Sequence, residues 1–279
     1  MEYVTPLAKI TEPTSEDDLR PISLTAFFSK TTEHFVVMWL MEHIKNHIDF
    51  RQYGGLKGNS ISHYLIEFIN FILLKQDSPD TAILVCMIDF SKAFNHQNHH
   101  ILITKLSDMD VPGWLLKIVI AFLSNRKMIV RYKGKSSEVK PLPGGGPQGT
   151  LLGLLLFIVL INDVGFNGED KNIEFNSYRK NLKNLNCLHL KYVDDFTVLK
   201  AIDMKNSLEQ APDRPRPDSF HSRTGHYLPK ENSKLYDQLI LTQQYANVND
   251  MQINAKKSKL MLFNPCKSFI LNLTWEKWT

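Results

Sequence analysis

The chain has 279 residues, of which 43% are hydrophobic and 22% charged. This mixture suits one large folded domain or two small ones and excludes wholesale disorder. A net charge of +4 permits a polyanionic partner but does not mark a strongly basic nucleic-acid module. Cys86, Cys187 and Cys266 are too few for a disulfide framework and lack the C-x-x-C spacing of a zinc site. The expected setting is therefore intracellular, with nucleus or cytoplasm unresolved.

The N-terminal stretch MEYVTPLAKITEP has no apolar segment of a secretory signal. Ile61, Tyr64, Leu65, Phe68, Ile69, Ile72 and Leu73 recur at helical spacing, which predicts an amphipathic helix over 58–75. Pro79-Asp80 closes that region, and Ala82–Ile88 reads as a strand buried on both faces. Pro112 at the first helical position predicts a helix over 113–123. Met128–Tyr132 and Ser137–Val139 flank Lys133-Gly134 as the arms of a hairpin. Gly144–Gly149 is a glycine-rich loop ahead of an apolar helix over 151–161. Helix of that length spans about 16 Å against the roughly 30 Å of a bilayer core, so it is expected to be buried in protein and no membrane partner is expected. Leu188–Tyr192 and Phe196–Ala201 read as strands joined by a tight acidic turn. Residues 203–233, rich in Pro, Asp, Ser and Arg, read as a long loop, followed by a helix near 235–247 and a strand over 260–263. This order lacks regular β-α-β-α alternation and predicts an α+β fold, an antiparallel sheet backed by helices.

Charge is uneven along the chain. Residues 1–20 are acidic, whereas 126–140 carry Arg126, Lys127, Arg131, Lys133, Lys135 and Lys140 against Glu138 alone, and 251–279 carry a second basic segment. The two basic segments read either as walls of one anion-binding groove or as solvated surfaces. Asp89 closes the apolar strand, and Asp194-Asp195 sits between two further apolar strands. Carboxylates so placed are costly unless neutralised, and a hard oxygen site for Mg2+ would neutralise them. The same Asp-Asp pair also reads as the exposed tip of a hairpin. The glycine-rich loop reads either as a phosphate cradle or as a turn that lets backbone pack closely, and it lacks the Lys-Ser/Thr of a P-loop. His43 and His47 lack the glutamate of a zincin helix, and His96, His99 and His100 read as surface residues.

In order along the chain, Asp89-Phe90-Ser91-Lys92-Ala93-Phe94, PGGGPQGTLLGLLLFIVLIND (143–163) and Lys191-Tyr192-Val193-Asp194-Asp195 resemble the A, B and C blocks of a reverse transcriptase of the non-LTR (LINE-type) retrotransposons. VTPLAKI (4–10), DLRPISLT (18–25), QYGGLKGNS (52–60) and NDMQINAKKSKLMLF (249–263) resemble its opening, pre-A and D blocks, so the likeness covers about 4–263. The resemblance implies a right-hand polymerase with fingers (mainly 1–80 and 111–142) and palm (mainly 81–110 and 143–263). It also implies a thumb missing or truncated after 263, with 264–279 as a short tail. The implied activity is RNA-directed DNA synthesis: a dNTP added to a primer 3′-OH on an RNA or DNA template, with two Mg2+ ions, or Mn2+ in their place. Asp89 and Asp194 map to metal-binding acids, Asp195 to a supporting acid, and the Phe90 carbonyl beside the metals. Phe94 maps to the residue under the nucleotide sugar, where its ring would exclude a 2′-OH. A core role for Phe94 is the alternative. Gln148 and Gly149 map to the loop that contacts nucleotide and template, Arg20 to a triphosphate ligand, Lys9 to a further basic fingers residue, and Lys257 to the acid for the leaving pyrophosphate.

Asn95 stands where many relatives have Asp, Leu154 where Pro is frequent, and Ile61-Ser62 where Thr is usual. No endonuclease or RNase H domain is recognisable, so the chain reads as a fragment of a mobile-element polyprotein. The competing reading is a catalytically inactive remnant that at most binds nucleic acid. Protein partners are unknown from sequence.

Overall fold

The computed structural model describes residues 2–77, 81–91, 94, 97–142, 144–165, 185–203, 208–210, 227–229, 234–264 and 267–269. Asn95, His96, Cys266, most of 203–233 and most of the 264–279 tail lie outside the described residues, but within 203–233, expected from sequence to be a long loop, Leu208–Gln210 and Tyr227–Pro229 pair as antiparallel strands. In chain order the elements are β1 (Glu2–Ala8), β2 (Leu19–Leu24), α1 (Phe27–Ile44), α2 (Ile61–Gln76), β3 (Thr81–Asp89), α3 (His99–Asp108), α4 (Gly113–Leu123), β4 (Arg126–Tyr132), β5 (Lys135–Ser136) and β6 (Lys140–Leu142). They continue with α5 (Leu151–Leu160), β7 (Cys187–Tyr192), β8 (Asp195–Asp203), β9 (Leu208–Gln210), β10 (Tyr227–Pro229), α6 (Lys234–Val248), β11 (Lys259–Asn264) and β12 (Lys267–Phe269).

The central sheet runs β12-β11-β3-β8-β7, and each of its pairings is antiparallel. β3 explains why this sheet anchors the chain. Ala82, Leu84, Cys86 and Ile88 point into a cluster with α1, α3, α4, α5 and α6, while Ile83 and Val85 point into a second cluster with Phe71 and Ile72 of α2. Burial on both faces produces the apolar run AILVC in place of alternation, whereas Met87, expected from sequence to be buried with the rest of Ala82–Ile88, is 39% exposed where the second face opens toward the end of the strand. Burial also pushes the Cys86 thiol up to about 12, so that sulfur is an inert packing group. The α+β arrangement expected from sequence is the one observed.

Helix α5 crosses this core with its residues from Leu152 to Leu160 buried, apart from the half-buried Leu154. Thr150 caps it, accepting the Gly153 N–H at 3.1 Å while donating to the Pro147 carbonyl at 3.0 Å. Gly153 is required there, because a Cβ would stand 2.5 Å from the Pro147 carbonyl oxygen. Glu33 of α1, only 5% exposed, accepts from the Leu152 N–H at the same helix end, and burial pushes its carboxyl above the usual range. Among the described residues no helix is long and apolar enough to cross a membrane.

A second sheet has the order β2-β1-β4-β5, with β6 also pairing β4. Its first two strands, a parallel β1–β4 pairing and helix α1 were not singled out as elements by the sequence pattern. Pro6 and Pro21 mask β1 and β2. They stand opposite each other, Pro21 on the outer strand and Pro6 beyond the Glu2–Val4 stretch that pairs with β4, so neither N–H is needed by a neighbour on that side. Two further expectations are corrected. Pro112 is the N-cap of α4, not its first helical residue, because its ψ of 143° is extended. The return arm of the hairpin is split into β5 and β6 instead of running through 137–139. Ser137 causes the break: its hydroxyl accepts the Val130 N–H at 3.0 Å, substituting for a ladder bond. The turn itself is as read, with Lys133 and Gly134 at φ of 47° and 77° between Tyr132 and Lys135.

One buried side chain conflicts with this packing. Gln97, 2% exposed, presses its amide on Gly146, and neither amide atom has a hydrogen-bond partner among the described residues. An unpaired buried amide is destabilising, so Gln97→Leu should raise stability by about 1–3 kcal/mol, read as a higher urea midpoint at unchanged slope. An unchanged or lowered midpoint would show that the amide is satisfied in solution.

Candidate active site

Three acids meet at one end of the central sheet. The β3–β8 register places Asp89 opposite Asp195, the last pair of that ladder. Their side chains therefore share one face, with Cβ atoms roughly 4.5–5.5 Å apart as in any directly opposed pair. Tyr192 pairs with Asp195, which leaves Val193 and Asp194 as a two-residue hairpin loop. Asp89 is fixed from the other side by the turn before β11. Its N–H donates to Ser258 Oγ at 3.2 Å and its carbonyl accepts the Asn254 N–H at 2.7 Å. Phe90 forms a bridge with Ile253 whose hydrogen bonds are carried by the flanking residues, Ser91 to Gln252 and Asn254 to Asp89. The Phe90 carbonyl thus points away from Ile253, toward the side on which β8 pairs only as far as Asp195.

The electrostatics of this cluster are those of an uncompensated anionic site. Burial, then the Asp89 charge, raises the Asp194 carboxyl above its usual range, although its own backbone N–H, Arg20 and Lys257 oppose the shift. Burial raises Asp195 too, followed by repulsion from Asp194 and Asp89. Arg20 and Lys257 are both exposed and act on Asp194 at range. Among the described residues no ion pair neutralises any of the three acids. Nor do the described residues hold a preassembled group of three or more His, Cys, Asp or Glu around one metal position. The donor set implied by the resemblance differs from such a group, since it combines the Asp89 and Asp194 carboxylates with a backbone carbonyl.

The turn rests on a buried polar base that sequence reasoning missed. Val193 has a φ of 57°, a left-handed conformation strained for a β-branched residue by about 1–3 kcal/mol. Gln52 Oε1 accepts the Val193 N–H at 3.1 Å and the Gly54 N–H at 3.2 Å. Residues 51–53 add a short parallel edge to β7: the Lys191 N–H donates to the Arg51 carbonyl at 3.0 Å and the Tyr53 N–H to the Lys191 carbonyl at 2.8 Å. Lys191, fully buried, places Nζ 2.8 Å from Asp49 Oδ2 and also donates to the Asn162 carbonyl. Asp49 Oδ1 holds Arg51 Nε at 3.0 Å. Burial pushes the Asp49 carboxyl up, but Lys191 and Arg51 prevail and hold it below the usual range. The only signal in the sequence was the QYGGLKGNS block, which marks Gln52 without revealing its partner 141 positions away.

The glycine-rich loop forms the other wall. Its Gly146 N–H donates to the Phe94 carbonyl at 2.7 Å, and the Ser23 N–H of β2 donates to the Gln148 carbonyl at 2.9 Å. Gly149, at a φ of 98°, packs so close that a Cβ would lie 3.2 Å from Ile22. Gln148 and Gly149 are therefore brought beside the strand that carries Arg20. Phe94 stacks on the buried Phe157 with centroids 4.7 Å apart, which gives it a packing role in the core. His99 is not a plain surface residue: its Nε2 stands 2.9 Å from the Gly145 carbonyl. Arg126 donates to that same carbonyl and forks onto Glu2 at 3.0 and 3.2 Å, while Arg131 lies 3.7 Å over the Tyr3 ring. Two of the six basic residues in that hairpin are thus tied to β1. Lys9 is exposed on the chain just after β1, where its N–H donates to the Asp18 carbonyl at 2.8 Å.

Residues 10–276 match the family described as reverse transcriptase (RNA-dependent DNA polymerase), and the chain belongs to that family. It is 29% identical over 154 residues to the RNA-directed DNA polymerase from mobile element jockey of Drosophila melanogaster, covering 54% of this chain and 17% of the relative. It is 28% identical over 152 residues to the probable RNA-directed DNA polymerase from transposon BS of the same species, again covering 54% and 17%. The retrotransposon resemblance drawn from the sequence is borne out by these relatives, of whose length this chain spans 17%. Among solved structures, telomerase from Candida albicans, in complex with the TWJ fragment of telomeric RNA, aligns with 98% of this chain and 46% of its own. Its TM-score is 0.51 at 9% identity, a likeness of fold.

Two measurements check the physical account of the site. Lys191→Met removes the partner of Asp49 Oδ2 and leaves Arg51 alone to hold that carboxylate, so it should cost about 1–3 kcal/mol, read from chemical denaturation. Asp194→Asn should raise the Tm of metal-free protein at pH 7, because it removes one of three repelling carboxylates. The sign follows from a raised folded pKa: the repulsion is present above it and vanishes as pH falls through it, so the advantage of Asp194→Asn should shrink in acid. An Asp194→Asn variant less stable than wild type at pH 7 would contradict the repulsion.

Proposed function

We propose that this chain is the polymerase core of an RNA-directed DNA polymerase, adding dNTPs to a primer 3′-OH at the Asp89–Asp194–Asp195 end of the central sheet. The observation that carries this reading is the opposition of Asp89 to Asp195 in register, with Asp194 in the adjoining turn. Acids 105 positions apart in the chain, read from different motifs, are thereby brought to one place. The central sheet and its helices then serve as palm (mainly 81–110 and 143–263), and the second sheet with its flanking helices as fingers (mainly 1–80 and 111–142).

The acid cluster suits divalent metal by its chemistry: hard oxygen donors, raised carboxyl pKa values and no neutralising ion pair among the described residues. When bound, two Mg2+ ions, or Mn2+ in their place, supply Lewis acidity to the primer hydroxyl and to the leaving oxygens. Asp89 and Asp194 hold them, with the Phe90 carbonyl beside them and Asp195 supporting the local charge. Arg20, exposed and facing the Asp194 field, binds the triphosphate. Gln148 and Gly149 line the nucleotide from the loop side. Lys257 delivers a proton to the departing pyrophosphate from the turn that also fixes Asp89. Template and primer backbones lie along the basic hairpin of β4–β6 and the lysines near β11, giving salt-sensitive binding with little sequence preference.

Primer extension on an RNA template with dNTPs and Mg2+ tests the reading. Wild-type protein should extend the primer and Asp194→Asn should not. Binding of RNA without any incorporation by wild type would instead establish the inactive remnant, and extension by Asp194→Asn would refute the metal assignment. Phe94 is tested separately. If it lies under the sugar, Phe94→Val should admit rNTPs; if it serves only to stack on Phe157, the same change should lower stability and leave sugar discrimination intact.

A further inference from the structure

We propose that Gln52 is a positioning residue for the catalytic turn: its side-chain carbonyl holds the Val193 amide in the left-handed conformation that presents Asp194. This rests on the polymerase reading only for the purpose the turn serves, since the mechanical claim stands on geometry.

A two-residue hairpin loop in which the first residue has positive φ is ordinarily given to glycine. Here that residue is Val193, at 57°, and Asp194 after it is not in the positive region. A β-branched residue stays there only if its surroundings over-determine it. Gln52 provides that determination. Its Oε1 receives the Val193 and Gly54 amides together, at 3.1 and 3.2 Å. The orientation of the amide group is forced, because a flipped Gln52 would turn its NH2 toward two N–H donors. Gln52 is itself immobilised. It is 1% exposed, bridges to Lys191, and its carbonyl accepts Asn59 Nδ2 at 2.8 Å. Gly54 closes the remaining freedom, for a Cβ there would stand 2.7 Å from the Val193 nitrogen. The Val193 amide is thus pinned between a fixed acceptor and an adjoining backbone, and the next residue is Asp194. Gln52 Nε2 has no hydrogen-bond partner among the described residues, a buried donor left unmatched at the back of the turn. That mismatch argues that the residue is kept for its oxygen. Leucine would fill the same volume without an unpaired donor, and glutamate would keep the oxygen while adding a charge.

The test is amide hydrogen exchange at Val193 together with Mn2+ affinity, measured by titration calorimetry on the full chain, in wild type, Gln52→Leu and Gln52→Leu/Val193→Gly. One lost hydrogen bond of ordinary strength corresponds to roughly tenfold, so Gln52→Leu should speed Val193 exchange and weaken Mn2+ binding by about that factor. Adding Val193→Gly should recover most of the Mn2+ affinity, since glycine adopts a φ near 57° without strain. A merely structural Gln52 predicts no such rescue. Gln52→Leu with wild-type exchange and affinity overturns the proposal, and so does a double variant that binds no better than Gln52→Leu. Gln52→Glu, which keeps an acceptor in place, should retain Val193 protection, and it decides the matter if Gln52→Leu does not fold. Wild type that binds no Mn2+ would refute the metal-site reading alone. Val193 exchange would then judge Gln52 independently.

Discussion

The governing constraint in this structure is that a sheet apolar on both faces ends in carboxylates. Ile88 is buried in the core cluster, and the next residue, Asp89, stands opposite another acid. Nothing in strand propensity favours that arrangement, and like charges directly opposed weaken a ladder. It persists because the rest of β3 and β8 is held so firmly. Along nine paired positions, from Thr81↔Asp203 to Asp89↔Asp195, Ala82 to Cys86 and Ile88 are buried between two separate hydrophobic clusters, and of the β3 interior only Met87 is exposed. Packing energy in the body of the sheet offsets repulsion at its tip. Local violations of this kind are expected where a site, not the fold, dictates the residue.

The tip is also geometrically demanding, and a connected group of buried polar side chains lies beneath it. Lys191, Asp49, Arg51, Gln52 and Asn162 are all buried and form one connected base under the Val193-Asp194 loop. Their positions follow from one another. Asn162 Oδ1 accepts the Asp49 N–H at 2.8 Å, Asp49 neutralises Lys191, and the Lys191 backbone carries the parallel edge that sets Gln52 under Val193. A buried ion pair is weak evidence for stability, because apolar replacements often do as well. Its value here is register. With the β7 backbone anchored by a charge that cannot slide, the loop has one position relative to Asp89.

Much of this was legible in the sequence, and the reasons are specific. The run Ala82–Ile88 announced a doubly buried strand, and Asp89 with Asp194-Asp195 stood out because acids rarely terminate such strands. Both were visible because the signal lies in contiguous residues. The supporting base was not visible, since a hydrogen bond between Gln52 and Val193 leaves no periodic trace in either segment. The same holds for Glu33 at the start of α5 and for Arg126 and His99 sharing the Gly145 carbonyl. Pro112 illustrates a finer limit. A φ near −58° fits an N-cap and a first helical residue equally, and only ψ, which the sequence does not encode locally, separates them.

The placement of positive charge completes the logic. Arg20 and Lys257 lower the Asp194 carboxyl through space, yet neither forms an ion pair with it, although the fold clearly makes close pairs elsewhere, as with Lys105 and Asp163 or Arg126 and Glu2. A direct pair at the tip would satisfy the acids and leave nothing for a cation to gain by arriving. Cations held at range do the opposite of sealing the site. They moderate the shift at Asp194, while their own side chains stay exposed. On the proposed polymerase reading, a negative centre flanked by positive charge leaves two demands open, one for metal and one for phosphate. On that same reading, a metal-bound nucleoside triphosphate would meet both, because it brings both charges in one ligand.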